Sequence, residues 1–156
     1  THTGASEKYE TEDNKLNLLN LKIKEFDLEL DTDKPYLDFV YRVYQHAKEL
    51  KELLIKLKEE GKIIHCYGAS TKLNCLLQYI DIGPEVISAA SERDNTKIGG
   101  QTLNGIPMIS EEESRKTANV YIIGPYSFKS EILEREKETI AKGVKFIFPL
   151  PKIDII

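Results

Sequence analysis

Cysteine is scarce in this 156-residue chain: Cys66 and Cys75 are the only two. Both sit in apolar surroundings, so buried free thiols are expected rather than a disulfide, as suits a reducing compartment. Together with three scattered histidines they fall short of the ligand number and spacing of a zinc centre. No metal site is expected. No apolar run approaches the roughly 18 residues of a membrane span. No secretory leader is visible either, and the expected location is the cytoplasm. A basic surplus is also missing: 22 Lys and Arg stand against 26 Asp and Glu, a net charge of −4. Such a chain has no excess cations to displace counterions from a polynucleotide, which argues against a general nucleic-acid binder. A small anionic ligand needs only a local site.

Several signatures are absent. The chain has no GxGxxG dinucleotide fingerprint and no GxxxxGK[ST] phosphate loop. It has no acidic-Gly-x-Gly run of the kind that cradles S-adenosylmethionine. It has no Ser-His-Asp elbow. His65 lies inside an apolar run and reads as a hydrogen-bonded core residue, and no catalytic residue is assigned. The chain opens on Thr1 rather than methionine, so a processed or partial chain is the expectation.

What is present is a change of pattern along the sequence. Residues 1–15 are polar and aperiodic, as in a flexible tail or linker. Residues 16–34, with "LNLLNLKIKEFDLEL", alternate apolar and polar residues and read as a strand-like connection. From Asp33, which can cap it, a long amphipathic helix runs to Gly61, with Pro35 in its first turn. Its apolar positions extend from Tyr36 to Leu57, and its aromatic stripe is expected to pack into a core. Residues 35–156 are taken as one domain. After Gly61, short apolar runs ("KIIHCY", "EVISAAS", "IPMI", "NVYIIG", "VKFIFPL") alternate with helical segments. Ser110 with Glu113 forms a capping-box pattern. This alternation predicts an α/β fold: a Rossmann-like three-layer αβα sandwich with a mainly parallel sheet.

In such sheets ligands gather beyond the carboxyl ends of the strands. Three segments converge there. The first, "YGASTKLN", offers Gly68 for a tight turn, Ser70 or Thr71 as a helix cap, Lys72 as a cation and Asn74 as a hydrogen-bonding amide. It reads equally well as an anion site and as a plain β–α turn. The second, "SERDNTKIGGQTLNGIP", holds Glu92 or Asp94 near a strand end, where a carboxylate can take ribose hydroxyls, with Arg93 nearby. A solvated loop fits it as well. The third, "GPYSF", places Pro125 in a turn, Tyr126 as a stacking or packing ring, and Ser127 as a cap for the next helix.

Taken together, "YGASTK.N", "ERD...K.G......G..IP.IS" and a terminal "FP.P" resemble the C-terminal domain of S-adenosylmethionine-dependent C-methyltransferases, over about Leu37 to Pro151. Those enzymes methylate a carbon of nucleotide-linked deoxysugars. The resemblance implies that this domain holds the nucleotide-sugar and is not catalytic alone. The methyl donor and the catalytic residues would belong to another domain, in cis or in trans. By carry-over, Tyr67, Gly68, Ala69, Ser70, Lys72 and Asn74 form the substrate-facing loop. Glu92 and Arg93 stand beside it, and Pro125 and Tyr126 belong to the adjoining segment. The sequence departs from the family at Leu73, where glycine is common, and at Tyr126, where tryptophan is frequent. Leu73 is expected to narrow the pocket. No cofactor is expected in this chain itself. The competing reading is a free-standing nucleotide or nucleotide-sugar binding module.

Overall fold

The computed structural model of the chain describes residues 11–156, which divide into one unit up to Tyr44 and a second from Gln45. The first unit is helical. Helix α1 spans Glu12–Asp27, where a strand-like segment was expected. Thr11 caps it, its side chain accepting from the Asn14 N–H at 3.2 Å, and Glu12 and Asp13 lie in the first turn beside the positive end of the helix dipole. The segment has four leucines and three lysines, good helix formers, and Ile23 as its one β-branched residue, so helix propensity prevails over the period-two pattern. Leu16, Leu19, Ile23 and Phe26 satisfy a helical spacing as well as the others satisfy an alternating one. Of the expected tail, residues 12–15 are therefore helical; its first ten residues lie outside the described ones.

Helix α2 spans Lys34–Glu59. Its apolar positions do not all enter a core. Leu50, Leu54 and Leu57 are buried, whereas Tyr36, Leu37, Phe39, Val40, Tyr41 and Tyr44 are exposed. The aromatic stripe expected to pack inward is thus solvent-facing in this chain.

The second unit is built on a six-stranded sheet of order β3-β2-β1-β4-β5-β6. The strands are β1 (Ile64–Tyr67), β2 (Ala89–Glu92), β3 (Met108–Ser110), β4 (Val120–Ile123), β5 (Lys145–Phe148) and β6 (Asp154–Ile155). All pairings are parallel except β5 with β6. Between the strands lie α3 (Thr71–Tyr79), α4 (Glu111–Thr117), α5 (Lys129–Arg135) and α6 (Lys137–Ala141). The α/β three-layer prediction agrees with this architecture. The antiparallel β6 was not legible: two residues are too few to show a period.

The two faces of the sheet differ in chemistry. Ile64, Cys66, Val120, Ile122 and Ile147 point to one face and pack with Leu50, Leu54 and Leu57 of α2 and Leu73 and Leu77 of α3. The alternate residues Tyr67, Tyr121, Ile123, Phe146 and Phe148 pack on the other face with Ile132 of α5. The period-two alternation of strand side chains sorts the aliphatic and aromatic sets to opposite sides. Cys66 lies in the aliphatic face, where burial pushes its thiol pKa up to about 12, so it is inert. Cys75 is exposed on α3, contrary to the expected burial of both thiols; both are free.

Ser70 caps α3 by accepting from the Leu73 N–H, and Ser110 caps α4 by accepting from the Glu113 N–H at 3.1 Å. Ser127 does not cap: it lies within a 3-10 turn at Tyr126–Phe128, and α5 begins after Phe128 without a side-chain cap. The single helix expected after that turn is broken at Glu136 between α5 and α6.

These burials separate two classes of leucine on one helix. Leu54→Ala is expected to lower unfolding free energy by about 2–5 kcal/mol. Leu37→Ala, on the exposed stretch, should change it by no more than about 0.5 kcal/mol. Urea denaturation of both variants measures the difference.

Candidate functional site

The order of the strands reverses between β1 and β4, and the loops at their carboxyl ends meet there. The Gly68 N–H donates to Ser91 O at 3.2 Å, and the Gly124 N–H donates to Tyr67 O at 3.4 Å. Gly68 has φ +83°, a conformation that favours glycine. Gly124 is needed for closeness: a Cβ there would collide with Ser70 Oγ and stand 3.2 Å from Leu73 Cβ.

A cleft of about 350 Å³ opens beside this junction, toward α4 and α5. Of the residues expected in a site, Tyr67, Gly68, Glu92, Arg93 and Pro125 line it. Ala69, Ser70, Lys72, Asn74 and Tyr126 do not. Lys72 instead lies over the Tyr126 ring, 5.4 Å from its centroid. Leu73 is buried in the aliphatic core rather than in the cleft, so it does not narrow the cleft as expected. The sequence reading missed Ser91, Glu111, Phe128, Glu131, Ile132 and Arg135, which complete the wall.

A polar network underlies that wall. Glu136 is only 2% exposed. Its Oε1 accepts from the Tyr67 hydroxyl at 2.8 Å, from Arg115 Nη2 at 2.7 Å and from Arg135 Nε at 3.2 Å; its Oε2 accepts from Thr139 at 2.9 Å. Arg135 Nη2 also donates to the Tyr67 hydroxyl, and its guanidinium lies over the Tyr67 ring at 5.1 Å. Burial by itself drives the Glu136 carboxyl upward. The hydrogen bonds from Arg115 and Thr139 and the charges of Arg115 and Arg135 outweigh it, and the net direction is down. Glu136 is therefore a carboxylate at neutral pH. At the cleft edge, Glu111 accepts from Arg93 Nε at 2.7 Å and lies 3.5 Å from Arg115 and 3.6 Å from Arg135. Glu92 is turned to the backbone, accepting from the N–H groups of Arg93 and Asp94 at 2.8 and 3.2 Å.

Deeper on the same face, His65 Nδ1 pairs with Ser114 Oγ at 2.8 Å, and Ser114 Oγ with the Tyr121 hydroxyl at 2.9 Å. Burial lowers the His65 pKa and raises that of Tyr121, so both are neutral. His65 is a core histidine with a satisfied partner, as its apolar context implied. Among the described residues, no group of three or more His, Cys, Asp or Glu is placed to hold a metal ion. Among the same residues, no helix is long and apolar enough to cross a membrane.

The family model of the C-methyltransferase C-terminal domain matches residues 2–151, nearly the whole chain. The chain belongs to that family. A curated relative, the C-methyltransferase NovU of Streptomyces niveus, is 29% identical over 124 residues. Those residues are 78% of this chain but 29% of the relative's length. The matched residues include those of α1 and α2. The missed wall residues had no local signal. Glu111 reads as a helix-start acid, and Arg135 and Glu136 as surface charges of an amphipathic helix. They become a site only when the parallel order β3-β2-β1-β4 brings α4 beside α5.

Glu136→Gln tests the network. Removing the charge leaves Arg115 and Arg135 without their buried partner, and a loss of about 1–3 kcal/mol is expected. The folded-state pKa of Glu136 lies below its unfolded value, so its contribution is complete above that value and fades as pH falls through the folded one. The parent chain should lose stability as pH drops below about 5, and the Gln variant should lose less over the same range. Thermal melts from pH 7 to pH 3 measure this.

Proposed function

We propose that this domain holds the nucleotide-linked sugar substrate of an S-adenosylmethionine-dependent C-methyltransferase, while a separate catalytic domain supplies the methyl donor and the chemistry. The observation that carries this reading is the family match across residues 2–151. The cleft at the carboxyl ends of β1, β2 and β4 supports it. Ligands of open parallel sheets collect at that position. Arg93 and Arg135 supply donors for phosphate oxygens, Glu92 and Ser91 suit sugar hydroxyls, and Pro125 with Phe128 offers an apolar wall to a ring. Lys72, in the first turn of α3, has no ion pair among the described residues and lies over the Tyr126 ring.

The residues of this chain do not fit the methyl donor itself. The turn after β1 has Gly68 alone, and Ser70 is engaged as a cap. No step of the transfer is assigned to this chain. Its part is to bind and orient.

The exposed apolar stretch of α2 and the apolar residues of α1 suit a docking role for the same enzyme's catalytic domain. Leu19, Ile23, Phe26, Phe39, Val40 and Tyr44 are each at least half exposed. The chain spans 29% of its curated relative's length, which leaves room for such a domain. Large contiguous exposed apolar patches usually mark an interaction surface.

Calorimetric titration with nucleoside-diphosphate sugars tests the reading. Binding is expected, and Arg93→Ala should weaken it by about 1.5–3 kcal/mol, the range for a charged hydrogen bond to phosphate. Absence of binding to any nucleotide-sugar, or methyl transfer by this chain alone, would overturn it.

A further inference from the structure

We propose that Glu111 is a resident stand-in for an anion, and that the cleft seats a phosphate or diphosphate on Arg93 and Arg135 once Glu111 swings aside. The inference rests on the substrate reading above only for where the phosphate comes from. The geometry carries the rest.

One oxygen of Glu111 accepts from Arg93 Nε at 2.7 Å and stands 3.6 Å from Arg135 Nη2. Its other oxygen is 3.5 Å from Arg115 Nη1. Guanidinium groups from the β2 loop, α4 and α5 thus converge on one carboxylate at the edge of a concave cleft. The convergence is not explained by folding needs. Arg115 already has Glu136 at 2.7 Å, and Arg135 has both Glu136 and Tyr67. Arg93 bonds Glu111 through Nε alone, and among the described residues neither of its terminal amino groups has a protein partner. Arg135 likewise uses Nε and Nη2, and among the described residues its Nη1 has no partner. These are the donors that a planar or tetrahedral oxyanion takes in pairs.

Glu136 keeps the arrangement open. As a buried carboxylate it compensates Arg115 and part of Arg135, so Glu111 can leave without stranding a buried charge. Glu111 is the first residue of α4. Its side chain can rotate away while the Ser110 cap still holds the helix. Glu92 does not compete for the arginines, because its Oε1 is tied to backbone N–H groups and its Oε2 faces Lys97 at 3.9 Å. Glu131, the remaining carboxylate of the wall, is bonded to Ser130.

The competition gives a test whose expected result is a gain, which misfolding cannot mimic. Inorganic pyrophosphate is titrated into the chain and its variants by calorimetry at fixed low salt. Glu111→Gln should bind it about tenfold more tightly, because the arginines lose their internal anion. Glu112→Gln makes the same change in net charge one residue away, on a carboxylate that pairs with exposed Lys116, and should leave the affinity unchanged. Arg93→Gln and Arg135→Gln should each weaken binding about tenfold. Equal effects of Glu111→Gln and Glu112→Gln, or no pyrophosphate binding by any of these proteins, would overturn the proposal. A parallel titration with nucleoside-diphosphate sugars separates it from the substrate reading. Pyrophosphate that binds as described while no nucleotide-sugar binds upholds the seat and removes the substrate assignment. A nucleotide-sugar that binds indifferently to Glu111→Gln upholds the substrate and removes the seat.

Discussion

The cleft of this domain depends on one buried carboxylate. Glu136 sits where α5 would otherwise run on into α6, and it accepts hydrogen bonds from β1 through Tyr67, from α4 through Arg115 and from α5 through Arg135. A charge this deep is tolerated only when it is paired and its oxygens are bonded. Those partners are the elements that form the cleft wall. The requirement to satisfy Glu136 therefore sets the spacing of α4 and α5 and fixes the Arg135 guanidinium over the Tyr67 ring. The broken helix is the local consequence of turning that side chain inward.

The division of labour between the sheet faces follows from the same chemistry. The aliphatic face, packed by α2 and α3, serves as the main core. The opposite face mixes aromatic rings with hydroxyls and charges. Tyr67, Tyr121 and Phe146 lie with ring centroids 5.3–5.8 Å apart, and the Tyr121 hydroxyl bonds Ser114 Oγ, which in turn bonds His65 Nδ1. Aromatic side chains allow this because each tyrosine packs its ring and still offers a polar tip. The candidate site thus grows out of a packed layer rather than out of loops alone, which gives its arginines a rigid base.

Much of the fold was legible in the sequence because burial leaves a periodic record. Runs such as "KIIHCY" and "NVYIIG" are buried on both faces and could only be central strands. The capped start at Ser110 was legible, and that of α3 was narrowed to Ser70 or Thr71, because a cap is a local bond between neighbouring residues. Where two periods coexisted, as in α1, the pattern did not decide, and propensity prevailed. The stripe on α2 misled for a different reason: periodicity reports that a face is apolar but not which surface covers it. The site was half legible. Gly68, Glu92, Arg93 and Pro125 follow the ends of their strands, and strand ends converge in any parallel sheet. Glu111 and Arg135 were hidden because only the tertiary crossing of α4 and α5 unites them. Leu73 showed the converse, since a residue beside a binding loop can belong wholly to the core.

The central claim is that the carboxyl edge of the sheet, at the Arg93–Arg135 cleft, meets the nucleotide-sugar. Nitrogen-15 spectra of the labelled chain, recorded while a nucleoside-diphosphate sugar is added, test it most directly. The account predicts that the side-chain Nε resonances of Arg93 and Arg135 and the amides of Gly68 and Gly124 shift together with one affinity. Shifts confined to the opposite edge, around the hollow lined by Gln78, Gly83 and Asn104, or no shifts at all, would contradict it.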